Sequence, residues 1–174
     1  AGVLVARGEE LGRILKAVDA VAGGSGRLVM LAGEPGVGKT RLAQEVTLAA
    51  RNREFLVASG RCYEPQQVVP YYPFLEALST AYRAAPSSVR AEVPRRWPYL
   101  GRLLPDELAP SSVSPSEGHE EQQRLFHAVT GFLQALASEM PVALVLDDLH
   151  WADSATLELL QHLAPVSYTH LRAH

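Results

Sequence analysis

The sequence has a single cysteine, Cys62, in 174 residues. That excludes an internal disulfide framework, and a lone thiol suits a reducing cytosol better than a secreted scaffold. Long hydrophobic runs are missing too. The longest, around Leu28 to Ala32 and Val142 to Leu146, fall far short of the roughly 20 apolar residues of a membrane-spanning helix. No charged-then-apolar leader follows Ala1, so the reading is a cytoplasmic protein. There is no excess of positive charge: 16 Lys and Arg stand against 19 Asp and Glu, a formal net charge of -3. Such a segment has no field with which to neutralise a phosphate backbone, so direct nucleic-acid contact is not expected of it. The six histidines form neither H-E-x-x-H nor a cysteine-paired spacing, and no G-x-S-x-G elbow occurs, which sets aside zinc and acyl-transfer chemistry.

What is present is ordinary globular material, 47% hydrophobic and 20% charged, long enough for one domain burying roughly 70% of its unfolded surface. Leu11, Ile14, Leu15, Val18 and Val21 recur at helical spacing until Gly23-Gly24-Ser25-Gly26 stops the helix. Arg27 to Ala32 reads as a strand running into glycines, and Leu42, Val46 and Ala49 resume helical spacing. Glu54 to Gly60 reads as a second strand. From Glu64 to Pro115 nine prolines admit only short helices such as Phe74 to Ala84, and the stretch at about 64–116 reads as a looped insertion. Leu125, Val129, Phe132, Leu133 and Leu136 mark one face of a helix over Glu117 to Ser138, which Pro141 ends. Val142 to Leu146 is an unbroken apolar strand of the kind covered by helices on both faces. Asp153 is placed to cap a last helix whose Leu157, Leu160 and Leu163 point one way. The fold class is therefore α/β, a parallel sheet flanked by helices.

Gly33-Glu34-Pro35-Gly36-Val37-Gly38-Lys39-Thr40 satisfies G-x-x-x-x-G-K-[ST] at every fixed position, between a predicted strand and a predicted helix. The glycines let backbone N–H groups converge on phosphate oxygens, and the N-terminus of the following helix adds positive charge. Lys39 brings a point charge to the β and γ phosphates, the Thr40 hydroxyl is a magnesium ligand, and Arg41 follows in the same motif. Val142-Ala143-Leu144-Val145-Leu146-Asp147-Asp148 has the form of a Walker B strand. Its acids stand at the carboxyl end, where open α/β sheets bind ligands. Asp147 is the expected second magnesium ligand, and Asp148 the group that orients or deprotonates the attacking water. Lys39 and Asp148 are thus the expected catalytic residues. His150 and Trp151 are expected to pack or cap the loop, with Trp151 in the core. Arg90, Arg95, Arg96 and Arg102 with Trp97 and Tyr99 form a basic, aromatic stretch that reads as a solvated face.

With both motifs in place, the chain resembles the P-loop ATPase domain of STAND regulators, in particular large ATP-binding LuxR-type transcription activators, an AAA-like group. Leu4-Val5-Ala6-Arg7-Gly8-Glu9-Glu10-Leu11 is similar to the family's opening V-G-R-E-x-E-L, although Ala6 replaces a usual glycine and Gly8 a usual acid. Gly33 to Ala43 resembles its G-E-P-G-x-G-K-T-R-L-x, and Val145 to Asp153 its L-D-D-L-H-W-A-D. Gly60-Arg61-Cys62 and Pro70-Tyr71-Tyr72-Pro73-Phe74 are similar to the stretch between. The resemblance implies that Val5 and Arg7 lie near adenine and ribose. It also implies ATP/ADP and Mg2+ as cofactors, slow hydrolysis that resets a switch, and self-association of a longer parent in the ATP state. The alternatives are an AAA-like motor or loader, and a nucleotide-dependent interaction module of a kinase or cyclase. By the same resemblance a further strand would insert between the P-loop and Walker B strands, so the sheet is expected to be incomplete at its C-terminal end. Residues 1–165 are then the N-terminal part of the ATPase domain, and 166–174 a tail foreign to it, with His170 and His174 not a metal site.

Overall fold

In the computed structural model of the chain the described residues are 2–5, 16, 28–32, 39–66, 69–104, 106–108, 118–163 and 168–169. Among the described residues five strands lie in chain order: β1 (Gly2–Val5), β2 (Leu28–Ala32), β3 (Leu56–Arg61), β4 (Val142–Asp147) and β5 (Tyr168–Thr169). The helices are α1 (Lys39–Asn52), α2 (Tyr72–Ala84), α3 (Ser87–Arg96), α4 (His119–Glu139) and α5 (Ser154–Leu163). Short 3-10 turns occupy Glu64–Gln66, Pro98–Arg102 and Leu149–Trp151. The strands form one sheet in the order β3-β4-β2-β1-β5, and every pairing is parallel.

Side chains alternate across a strand, so register decides what shares a face. Ala58, Leu144 and Met30 stand level across β3, β4 and β2 and are fully buried. With Leu28, Leu56, Val142 and Leu146 they meet Phe74 and Leu78 of α2 and Phe132, Leu133 and Leu136 of α4 in one core. Fully burying one such side chain contributes roughly 1.5–3 kcal/mol, so this layer dominates the stability of the sheet. The opposite face carries Ser59 level with Val145 and Arg61 level with Asp147, and α1 packs there with Val46 and Ala50 buried. β4 is covered on both sides, as its unbroken apolar run requires.

Several expectations change. The sheet has no gap between the P-loop and Walker B strands: Leu28 to Ala32 pair directly with Val142 to Leu146. Both segments carry unpaired ladder groups, and direct hydrogen bonding satisfies them at once. A strand at Gly2–Val5 flanks β2, unannounced because four residues are too few to show a period. The helix expected over 11–21 lies outside the described residues except Lys16, which is helical.

The proline-rich stretch is built of short helices, but it is not peripheral. Phe74, Leu78, Leu100 and Leu104 within it are fully buried. α3 runs through Pro94, whose missing N–H falls in the last turn. Trp97 and Tyr99 belong to the core at 9% and 6% exposure. Arg96 lies over the Trp97 ring and Arg102 and Arg124 over Tyr99, so in this stretch the arginines, not the rings, make the solvated face. In α5 the buried residues are Thr156, Leu159 and Leu163, and Leu157 is 42% exposed. The i, i+3, i+6 series drifts around a helix of 3.6 residues per turn, whereas i, i+3, i+7 stays on one face. Tyr168 and Thr169, within the segment 166–174, pair with Val3 and Leu4 of β1.

Candidate nucleotide site at the carboxyl ends of β2 and β4

The strand order creates the site. From β2 the chain proceeds through α1 to β3, on one side, while from β4 it proceeds through α5 to β5, on the other. β2 and β4 are neighbours, so the connections leave their carboxyl ends in opposite directions, and open α/β sheets form their ligand crevice at such a point. Ala32 stands level with Leu146, which brings the end of β2 beside the end of β4.

Asp147 is the last residue of β4 and shares the α1 face with Arg61 of β3. The Cys62 N–H donates to the Asp147 carbonyl at 3.1 Å, carrying the β3–β4 ladder one step further. Asp148 then turns the chain out of the sheet in the left-handed conformation, φ 56° and ψ 41°, which Asp tolerates better than most residues. Its N–H donates to Asp147 Oδ1 at 3.3 Å, and its carbonyl accepts the Trp151 N–H at 3.0 Å. A non-glycine residue held in this region costs about 1–3 kcal/mol and commonly marks a functional loop.

One guanidinium joins both acids. Arg61 Nη2 lies 3.6 Å from Asp147 Oδ2, and Arg61 Nε lies 3.1 Å from Asp148 Oδ2. Two carboxylates against one cation leave a residual negative charge. The acids are 19% and 30% exposed, so they remain within reach of a metal ion. A cleft of about 500 Å³ opens beside Asp147, between Gln44, Thr47 and Leu48 of α1 and Ser59 and Arg61 of β3. Among the described residues there is no cluster of three or more His, Cys, Asp and Glu able to hold a metal. Two carboxylates suit magnesium nonetheless, because it takes hard oxygen donors and keeps much of its water.

Beyond the acids, Asp153 accepts from the Thr156 N–H at 3.2 Å and from the Thr156 hydroxyl, capping α5 as expected. His150 packs against Trp151 with ring centroids 4.5 Å apart. Trp151 itself is only half-buried, a correction to its expected place in the core, since the 3-10 turn that carries it lies past the end of the sheet. Cys62 is buried, and its pKa is pushed up to about 11, first by burial and then by Asp153, Asp148 and Asp147.

The sequence profile of the AAA ATPase domain matches residues 3–171. The chain belongs to this family. An uncharacterized protein of Rhizobium meliloti (strain 1021) is 24% identical over 178 residues, covering 95% of this chain and 17% of the relative. The chain thus spans under a fifth of that relative's length. No solved structure matches it significantly.

Within this AAA ATPase domain Lys39, Thr40 and Arg41 open α1, although their side chains lie outside the described atoms. Gly33, Glu34, Pro35, Gly36, Val37, Gly38 and Arg7 lie outside the described residues. Val5 ends β1, level with Ala32 at the end of β2, so strand register brings Val5 to the same edge of the sheet as the end of β2. Asp147 ends β4 and Asp148 begins the turn that follows it. The residue that sequence reasoning left out is Arg61, although its place at the carboxyl end of a predicted strand was a usable signal. Among the described residues, no helix is long and apolar enough to cross a membrane.

Proposed function

We propose that this AAA ATPase domain is a nucleotide switch, with the phosphates of ATP or ADP held by residues 33–41 and magnesium by Thr40 and Asp147. The observation that carries the reading is the switch point itself, where Ala32, which G-E-P-G-V-G-K-T follows in the sequence, stands level with Leu146, which Asp147 and Asp148 follow. Lys39 neutralises the β and γ phosphates, and Asp148 orients or deprotonates the attacking water. Magnesium supplies charge compensation between the phosphates when bound. Val5 and Arg7 flank the base.

In this reading residues 1–165 belong to the ATPase domain of a cytoplasmic STAND-type, LuxR-family regulator of transcription. The γ-phosphate biases a two-state element through contacts that the diphosphate lacks, the ATP form self-associates, and slow hydrolysis restores the resting form. Hydrogen exchange on the chain loaded with ADP and with a non-hydrolysable ATP analogue tests this. The switch predicts different protection at Asp147 to Trp151 in the two states. Identical protection together with sustained rapid turnover contradicts it and favours a motor.

A further inference from the structure

Arg61 has no part in the nucleotide reading above, on which the following rests. We propose that Arg61 is a built-in counter-ion that competes with Mg2+ for Asp147 and Asp148, so that metal enters the site by displacing a guanidinium.

Register pins Arg61 beside Asp147 on the α1 face. Its planar fork is divided between two residues, with Nη2 on Asp147 Oδ2 and Nε on Asp148 Oδ2, instead of closing bidentately on one. A divided fork holds the two acids together without completing the strongest arginine–carboxylate geometry. Asp147 Oδ1 is engaged as well, by the Asp148 N–H. Asp147 Oδ1 thus has a donor and Oδ2 faces the guanidinium at ion-pair distance, so a metal arriving at Oδ2 meets a cation that opposes it until Arg61 swings aside. Exchange is feasible, since the Arg61 side chain is 40% exposed and lines the 500 Å³ cleft beside α1, which gives it room to swing. With the guanidinium in place the acid pair is partly neutralised, and free metal is held weakly. A metal that arrives with phosphates brings further ligands and outcompetes it. Arg61 would thus make the site selective for the metal–nucleotide complex over the bare ion.

The test is titration of Mn2+ alone, followed by electron paramagnetic resonance of the free ion, into the wild-type chain, Arg61→Gln and Arg61→Lys, with circular dichroism to compare their folds. Two partly screened ion pairs, each worth a few-fold in binding, multiply to about tenfold. R61Q is expected to bind Mn2+ about tenfold more tightly than wild type, with R61K between them. Should R61Q lose the wild-type spectrum, R61K carries the test, with a tightening of about threefold expected. Equal or weaker Mn2+ binding in the folded variants overturns the proposal. A parallel titration with ATP separates the two claims: tighter Mn2+ binding by R61Q in a chain that binds no nucleotide supports the counter-ion and sinks the nucleotide reading.

Discussion

Replacing Gly60 with alanine should damage fold and site together. A Cβ built on Gly60 would stand 1.8 Å from the Pro73 carbonyl oxygen and 2.7 Å from its carbon. Real Cβ contacts are essentially never under 3.0 Å, so the end of β3 and the first turn of α2 must separate by at least 1.2 Å, the difference between 3.0 and 1.8 Å. The obstructing atoms are backbone, and no side-chain rotation relieves them. Forced overpacking of this kind costs about 1–3 kcal/mol, or roughly 3–10 °C in Tm for a domain of this size. The displacement also acts on the next residue. Arg61 Nε is 3.1 Å from Asp148, and a shift above 1 Å stretches that pair beyond direct contact. Gly60→Ala should therefore unfold earlier in a circular-dichroism melt and, by the counter-ion account, bind Mn2+ more tightly where it remains folded. A melt within about 1 °C of wild type would refute the packing argument.

Two further outcomes follow from titratable groups. The Cys62 pKa of about 11, against an ordinary 9.0, keeps the thiol protonated near neutrality. Alkylation by iodoacetamide at pH 8 should be about a hundredfold slower in the folded chain than in urea and should climb steeply only as pH approaches 11; equal rates in the two states would contradict the burial seen here. The His162 pKa is lowered from 6.5, first by burial and then by His127, whose ring lies 5.7 Å away. The folded state thus disfavours the imidazolium, so the contribution of this group to stability is present above pH 6.5 and is lost as pH falls through its lower folded value. Urea unfolding of His162→Gln should lose less stability than wild type between pH 8 and pH 5, and parallel losses would count against the packing around His162.

The parts of this fold that were legible in the sequence are those with a strong local signal. The β2-loop-α1 unit and the β4 strand are read from an apolar run, a glycine motif and two acids, and β2 and β4 pair directly, without the intervening strand that the resemblance implied. α4 was legible because 21 residues give its period room to repeat. What escaped depends on distant partners. β1 and β5 are strands only because β2 offers an edge for them to pair with in turn. The burial of Leu100 and Leu104 in a proline-rich stretch depends on α4 lying against it. Arg61 was half legible: its place at a strand's carboxyl end was a signal, but only register sets it beside Asp147 and Asp148.

The central claim is that the crevice outside β2 and β4 holds a magnesium nucleotide. Titration of a fluorescent ATP analogue, with and without Mg2+, into the wild-type chain and Lys39→Ala tests it most directly, with circular dichroism confirming that both are folded. The account predicts saturable, magnesium-strengthened binding to wild type that Lys39→Ala abolishes. Equal binding by the two chains, or none by a folded wild type, would contradict it.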